Sequence, residues 1–243
     1  MATGGQGMKK FLALLVLVVG GAVVGKALLT GQPILRLGNG EMSNPYAPGS
    51  ALHAQQQVFV DEFNADPALR DRFAGTFTSK GLYAEVTGAL RRGARSLDSA
   101  QLISVTRAMA AVIPRLREEN CAKLMRPADD FDPVLSADVR DALERLPPHH
   151  HRNFWRFYLA SLKAEVQDLP ERAVDGPARE RALQELGGRF NNSDIQRMNR
   201  VVGNPRAAPD ADACWAINAL THNAGQLSPD HAEALARMIW GGK

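Results

Sequence analysis

The stretch Asn153–Leu169, NFWRFYLASLKAEVQDL, carries Phe154, Phe157, Tyr158, Leu162, Val166 and Leu169 at helical spacing. Such a pattern lays the large apolar side chains along one stripe of a helix, with Arg152 and Arg156 four residues apart on a neighbouring face. Interleaved arginines and rings are also the composition of a base-stacking surface. On a helix, though, the rings turn together towards a core and leave the arginines to solvent. A buried helix is therefore expected here, and no nucleic-acid partner.

Working outward, caps mark one helix after another. Upstream, Ser136 is read as opening a helix that stops before Pro147-Pro148. Asp98 with Gln101 three residues later has the spacing of a capping box. Behind it Leu102, Val105, Met109, Val112 and Leu116 form a stripe that Pro114 should end or kink near Ile113. Asp66-Pro67 sets a capping carboxylate before a proline at the first helical position. Downstream, Asp175 with Pro177, Ser193, Asp210 and Ser228-Pro229 start four more helices, and Gly241 ends the last. Outside residues 32–50 there is no convincing alternation of period two. The sum is an all-α, multi-helix bundle of about eight to ten helices joined by short polar turns.

Two stretches resemble each other. LSADVRDALERL (Leu135–Leu146) and LSPDHAEALARM (Leu227–Met238) agree at six of twelve positions, and Cys121 and Cys214 precede them by fourteen and thirteen residues. Ser99 and Ser193 stand 22 and 21 residues before those cysteines. The repeated offset suggests two related helical units. Against this stands the frequency with which any serine-capped Ala/Leu/Arg helix arises.

The N-terminus reads differently. Residues 1–10 are a short tail ending in Lys9 and Lys10, and residues 11–29 form an apolar run interrupted only by Lys26. At about 1.5 Å per residue this run covers most of a ~30 Å hydrocarbon layer. It is expected to be a transmembrane anchor, the alternative being a cleaved signal peptide, although no small-x-small cleavage site precedes Lys26. The lysine pair in front places residues 51–243 beyond the membrane by the positive-inside rule. The Met8-Lys9-Lys10 start gives the expectation of a bacterial inner-membrane protein with a periplasmic C-terminal domain, secreted if cleaved. Residues 32–50, QPILRLGNGEMSNPYAPGS, are rich in Gly, Pro, Asn and Ser and read as a flexible tether.

Charge points the same way. The chain has 29 Lys+Arg and 26 Asp+Glu. Lys9, Lys10 and Lys26 lie before residue 32 with no acid among them, so the remainder is balanced and is no general polyanion binder. An apolar content of 45% excludes a disordered chain. Two cysteines exclude a disulfide-dense miniprotein and a four-cysteine zinc site. In an oxidising compartment Cys121 and Cys214 are expected to pair.

Motifs that carry chemistry are scarce. On an extended segment after Pro147-Pro148, the imidazoles of His149, His150 and His151 point apart, so a solvated loop is expected and no metal. Asp129, Asp130 and Asp132 would add oxygens only if the fold brought them close. Residues 70–126 hold eleven bases against five acids, densest at Arg91, Arg92 and Arg95. That face is a candidate for an acidic partner, unless the acidic stretch 127–185 packs against it. There is no G-x-S-x-G, Walker loop, G-x-G-x-x-G or C-x-x-C, so no catalytic residue and no cofactor is assigned. The expectation is a membrane-tethered periplasmic binding or scaffold module with a protein partner. Its alternatives are a helical cell-wall glycan hydrolase using a single acid such as Glu62 or Glu165, or a secreted effector or inhibitor.

Overall fold

The computed structural model describes residues 41–241 except 45, 75–78 and 127–132. The expected tail, the membrane segment and the first part of the tether lie outside the described residues, as do Asp129, Asp130 and Asp132. Among the described residues there are eleven α-helices and no strand. No described helix is long and apolar enough to cross a membrane.

The first helices are α1 (Ala51–Asn64), α2 (Pro67–Phe73), α3 (Ser79–Ala94) and α4 (Ser99–Val112). A 3-10 turn (Ile113–Arg115) leads to the short α5 (Glu118–Lys123). After it come α6 (Pro133–Glu144), α7 (Pro148–Val166), α8 (Gly176–Gly187), α9 (Asn192–Gly203), α10 (Asp210–Ala224) and α11 (Pro229–Gly241). The count exceeds the expected eight to ten because α5, six residues long, is too short to show a periodic stripe.

Local chemistry explains most boundaries. Asp66 accepts from the Ala68 and Leu69 N–H groups, with Pro67 at the first position of α2. Asp98 and Gln101 close both arms of the capping box of α4, at 2.8 and 3.1 Å. Pro114 stops α4 at Val112 and tightens the chain into the 3-10 turn. Two starts are shifted from the expected ones. Helix α6 begins at Pro133, ahead of Ser136, and Asn191, in place of Ser193, caps α9 by accepting from the Asp194 N–H. The larger correction concerns α7. Pro148 occupies its first turn, where a proline loses no hydrogen bond. His149, His150 and His151 are therefore helical and not a loop.

Helix α7 is the hub, packing against α1, α2, α3 and α4. Helix α4 in turn meets α10 and α11; α10 lies on α5, and α11 lies on α8. Phe154, Phe157, Tyr158 and Leu162 are all buried, as is Trp155, whereas Arg152 and Arg156 are exposed. Leu169 departs from the expected stripe and is 45% exposed. The reason is a Schellman turn: Asp168 adopts φ 49° and the Leu169 N–H reaches back 3.0 Å to the Ala164 carbonyl, so the chain leaves the helix axis. Two aromatic chains run from α7. Trp155 stacks towards Phe59 of α1 and Tyr46, while Phe157 meets Trp240 of α11 at 4.8 Å. The Trp240 Nε1–H donates to Thr106 Oγ1 of α4 at 2.9 Å, which satisfies the buried indole.

Part of the stretch read as a tether is attached to the domain. The Met42 N–H and carbonyl both bond to the Asn64 amide, at 2.8 and 2.9 Å, and Asn44 bonds to the His53 carbonyl and to Gln57. Burial of Tyr46 against Trp155 pushes its hydroxyl pKa well up.

The tightest constraint is the crossing of α3 and α7. Gly93 sits against the Ser161 carbonyl; a Cβ there would lie 2.7 Å from the Ser161 carbonyl carbon and closer still to its oxygen. Ala89 and Ala94 on α3 and Ala164 on α7 are buried as well, so small side chains let the backbones approach.

The two similar stretches form the bodies of α6 and α11, and the cysteines that precede them join α5 to α10. Their neighbours differ in part: both pack on α4 and on the cysteine-bearing helix before them, α6 on α5 and α11 on α10, but α6 also meets α1 and α11 also meets α8 and α3. The Cys121–Cys214 disulfide has Cα atoms 5.0 Å apart, and Cys121 is wholly buried.

Two outcomes are expected. Gly93→Ala should lower unfolding free energy in urea by about 1–3 kcal/mol, because forced separation outweighs the gain in helix propensity; an unchanged or higher stability would contradict the close crossing. The Cys121→Ala/Cys214→Ala pair, releasing a bridge between positions 93 apart, should cost up to about 4–5 kcal/mol in the chain-entropy model. Mass spectrometry of denatured, unreduced, alkylated protein should find neither thiol modified.

Candidate functional site

The densest basic face of the sequence folds onto acids from the later part of the chain. Arg91, Arg92 and Arg95 lie at the end of α3. Arg92 Nε pairs with Glu165 at 2.6 Å, Arg95 Nη1 pairs with Glu171 at 3.0 Å, and Arg117 faces Asp138 at 3.6 Å. These contacts link residues 70–126 to the acidic stretch 127–185. Glu62 stands 3.6 Å from Lys163 and is exposed. Glu62 and Glu165 thus each sit beside a cation, Glu62 exposed and Glu165 largely covered.

Around Arg95 the surface is concave. The segment after the Schellman turn is pinned to the end of α3 by Ser96 Oγ donating to the Leu169 carbonyl (2.8 Å) and the Arg172 N–H donating to the Arg95 carbonyl (2.9 Å). Between this segment, the first turn of α8 and α11 lies a cleft of about 230 Å³ lined by Arg95, Glu171, Arg172, Ala173, Val174, Arg179 and Arg237. Arg237 is its fixed member, with only 7% of the side chain exposed. It donates to the Leu97 carbonyl (3.0 Å) and to Glu233 (2.9 Å). The Ser99 hydroxyl, together with Arg237 and Arg172, holds the Glu233 carboxyl below the ordinary carboxylate range against the opposing effect of burial. Arg172 and Arg179 are exposed and form no ion pair among the described residues. Of these arginines only Arg95 belongs to the expected basic face.

A second, more open cleft of about 460 Å³ is bounded by Arg115, Arg117, Arg145, Asp138 and Asp141. Here the polar groups are hydrogen-bonded within the molecule. Asp138 accepts from the Arg117 backbone N–H and the Asn120 side-chain amide at 2.9 Å each, while Arg115 and Arg145 donate to main-chain carbonyls.

The histidines separate by role. His151 is fully buried and its Nε2 meets the Leu143 carbonyl, tying α7 to α6. The His149 and His150 rings stack 4.1 Å apart. Burial, followed by His149, His151 and Arg115, lowers the His150 pKa. Among the described residues no three His, Cys, Asp or Glu side chains converge on a metal position.

One cluster resembles a catalytic triad in composition only. Glu185 of α8 accepts from Ser228 Oγ at 2.8 Å and also contacts His231 Nδ1 at 2.5 Å. Because the serine hydroxyl points to the carboxylate and not to the imidazole, the arrangement lacks a base for the serine. The Ser228 N–H and Arg189 add two further bonds to the same carboxylate, making it a latch between α8 and α11.

Hydrogen bonds from His231 and Ser228 lead in pulling the Glu185 pKa from 4.5 to about 2. A lowered carboxyl pKa stabilises the fold above the unfolded value and ceases to do so as pH falls through the folded one. The latch should be intact above about pH 4.5 and fail towards pH 2. Urea unfolding measured across that interval should show a shallower pH slope for Glu185→Gln than for the parent; equal slopes would refute the latch.

No protein-family model matches this chain, and no curated protein or solved structure matches it either.

Proposed function

We propose that this chain is a membrane-tethered helical binding module of a bacterial inner membrane, anchored by residues 11–29 with its domain on the periplasmic side and engaging a protein partner there. The observation that carries the reading is the Cys121–Cys214 disulfide. A buried bridge between two helices is a bond of oxidising compartments, and an apolar N-terminal run after a lysine pair is the means of reaching one. The surface favours recognition by charge over apolar docking. Its large exposed hydrophobics, among the described residues, are the scattered Val58, Val134 and Leu169, whereas arginines line both clefts. We read the paired landmarks at Ser99, Cys121 and Leu135 and at Ser193, Cys214 and Leu227 as one helical unit used twice and stapled through its middle helices, despite the differing neighbours.

The test is topology. Carbonate-washed membranes should retain the intact chain, and protease added to spheroplasts should remove the domain from outside. A soluble product beginning near Lys26 would overturn the anchor. Protection of the domain from external protease would overturn its side, and release of glycan from cell wall by the purified chain would overturn the binding role.

A further inference from the structure

The four-arginine cleft is built from separated parts of the chain: Arg95 at the end of α3, Arg172 on the segment between α7 and α8, Arg179 in α8 and Arg237 in α11. Like charges brought together by folding repel unless something offsets them. Glu171 answers Arg95 and Glu233 answers Arg237, but Arg172 and Arg179 have no ion-paired carboxylate among the described residues. The cleft is thus a standing excess of guanidinium, in a domain whose total charge is balanced.

We propose that this cleft receives the carboxylate of an aspartate or glutamate side chain from an acidic segment of a partner protein. This deepens, and rests on, the reading of the chain as a protein-binding module. Size favours a single side chain: about 230 Å³ is below the usual ~300–1,000 Å³ of small-molecule sites. The walls favour a carboxylate that carries methylenes. Ala173 and Val174 lie beside the guanidiniums, where the stem of an acidic residue covers them and a bare phosphate does not. Arg237, held by Leu97 and Glu233, gives a floor whose fork is already oriented. Arg172 and Arg179 at the exposed edge supply the charge-assisted bonds.

The experiment uses the full chain in neutral detergent and a fluorescein-labelled hexaglutamate peptide with an amidated end, followed by anisotropy at low salt. Saturable binding is expected, weakened at least about tenfold by Arg172→Glu/Arg179→Glu with an unchanged melting temperature. The exposed pair Arg152→Glu/Arg156→Glu, with the same change in net charge, should retain binding. Absence of peptide binding, equal weakening by both pairs, or displacement of the peptide by an equal concentration of inorganic phosphate would each overturn the proposal. A periplasmic partner whose capture ignores Arg172→Glu/Arg179→Glu would refute this cleft and leave the binding module standing. A domain found on the cytoplasmic side would refute that module reading while the peptide titration still reports on the cleft.

Discussion

The contact between Gly93 and the Ser161 carbonyl governs much else in the molecule. Helix α7 is the element against which α1, α2, α3 and α4 pack, and its distance from α3 is set where a side chain is missing. Two residues beyond the crossing, Arg95 receives the Arg172 N–H on its carbonyl, and Ser96 bonds to Leu169. Any increase in the helix separation would be passed directly to the segment that forms one wall of the arginine cleft. Close-packed interiors transmit such displacements because they hold little free volume.

Much of this was legible from local chemistry. Asp66-Pro67 and Asp98 with Gln101 cap helices because their signals act within three residues and need no tertiary context. Burial of Phe154, Phe157, Tyr158 and Leu162 follows from spacing alone. The histidines show where the reading failed. Pro147-Pro148 looks like an interruption, yet a proline in the first turn starts a helix as well as ending one, which moved His149–His151 into α7 and His151 into the core. Leu169 was lost through Asp168, whose left-handed backbone is a tertiary outcome at a non-glycine residue. The cleft was legible only in part. Arg95 stood in a basic face, but no spacing connects it with Arg172, Arg179 and Arg237, since distant segments meet only after α3, α8 and α11 have packed.

Charge is distributed with a logic that a net value conceals. A local excess of bases in the first half meets acids of the second at Arg92–Glu165, Arg95–Glu171 and Arg117–Asp138. Each pair has at least one exposed partner, and such pairs contribute little stability each. Their more evident effect is on register, because each joins residues far apart in sequence and opposes alternative dockings of like-charged faces.

The disulfide also determines how the domain breaks. It encloses α6 to α9 between residues 121 and 214. A peptide bond hydrolysed anywhere in that interval leaves two polypeptides joined by sulfur, heavier than the original by one water and still packed through α5 and α10. A cut before residue 121 or after 214 has no such covalent safeguard and depends on core contacts alone. Wear by proteases would therefore accumulate as nicked molecules that look whole until reduced, and a reducing gel would reveal damage that a native one conceals.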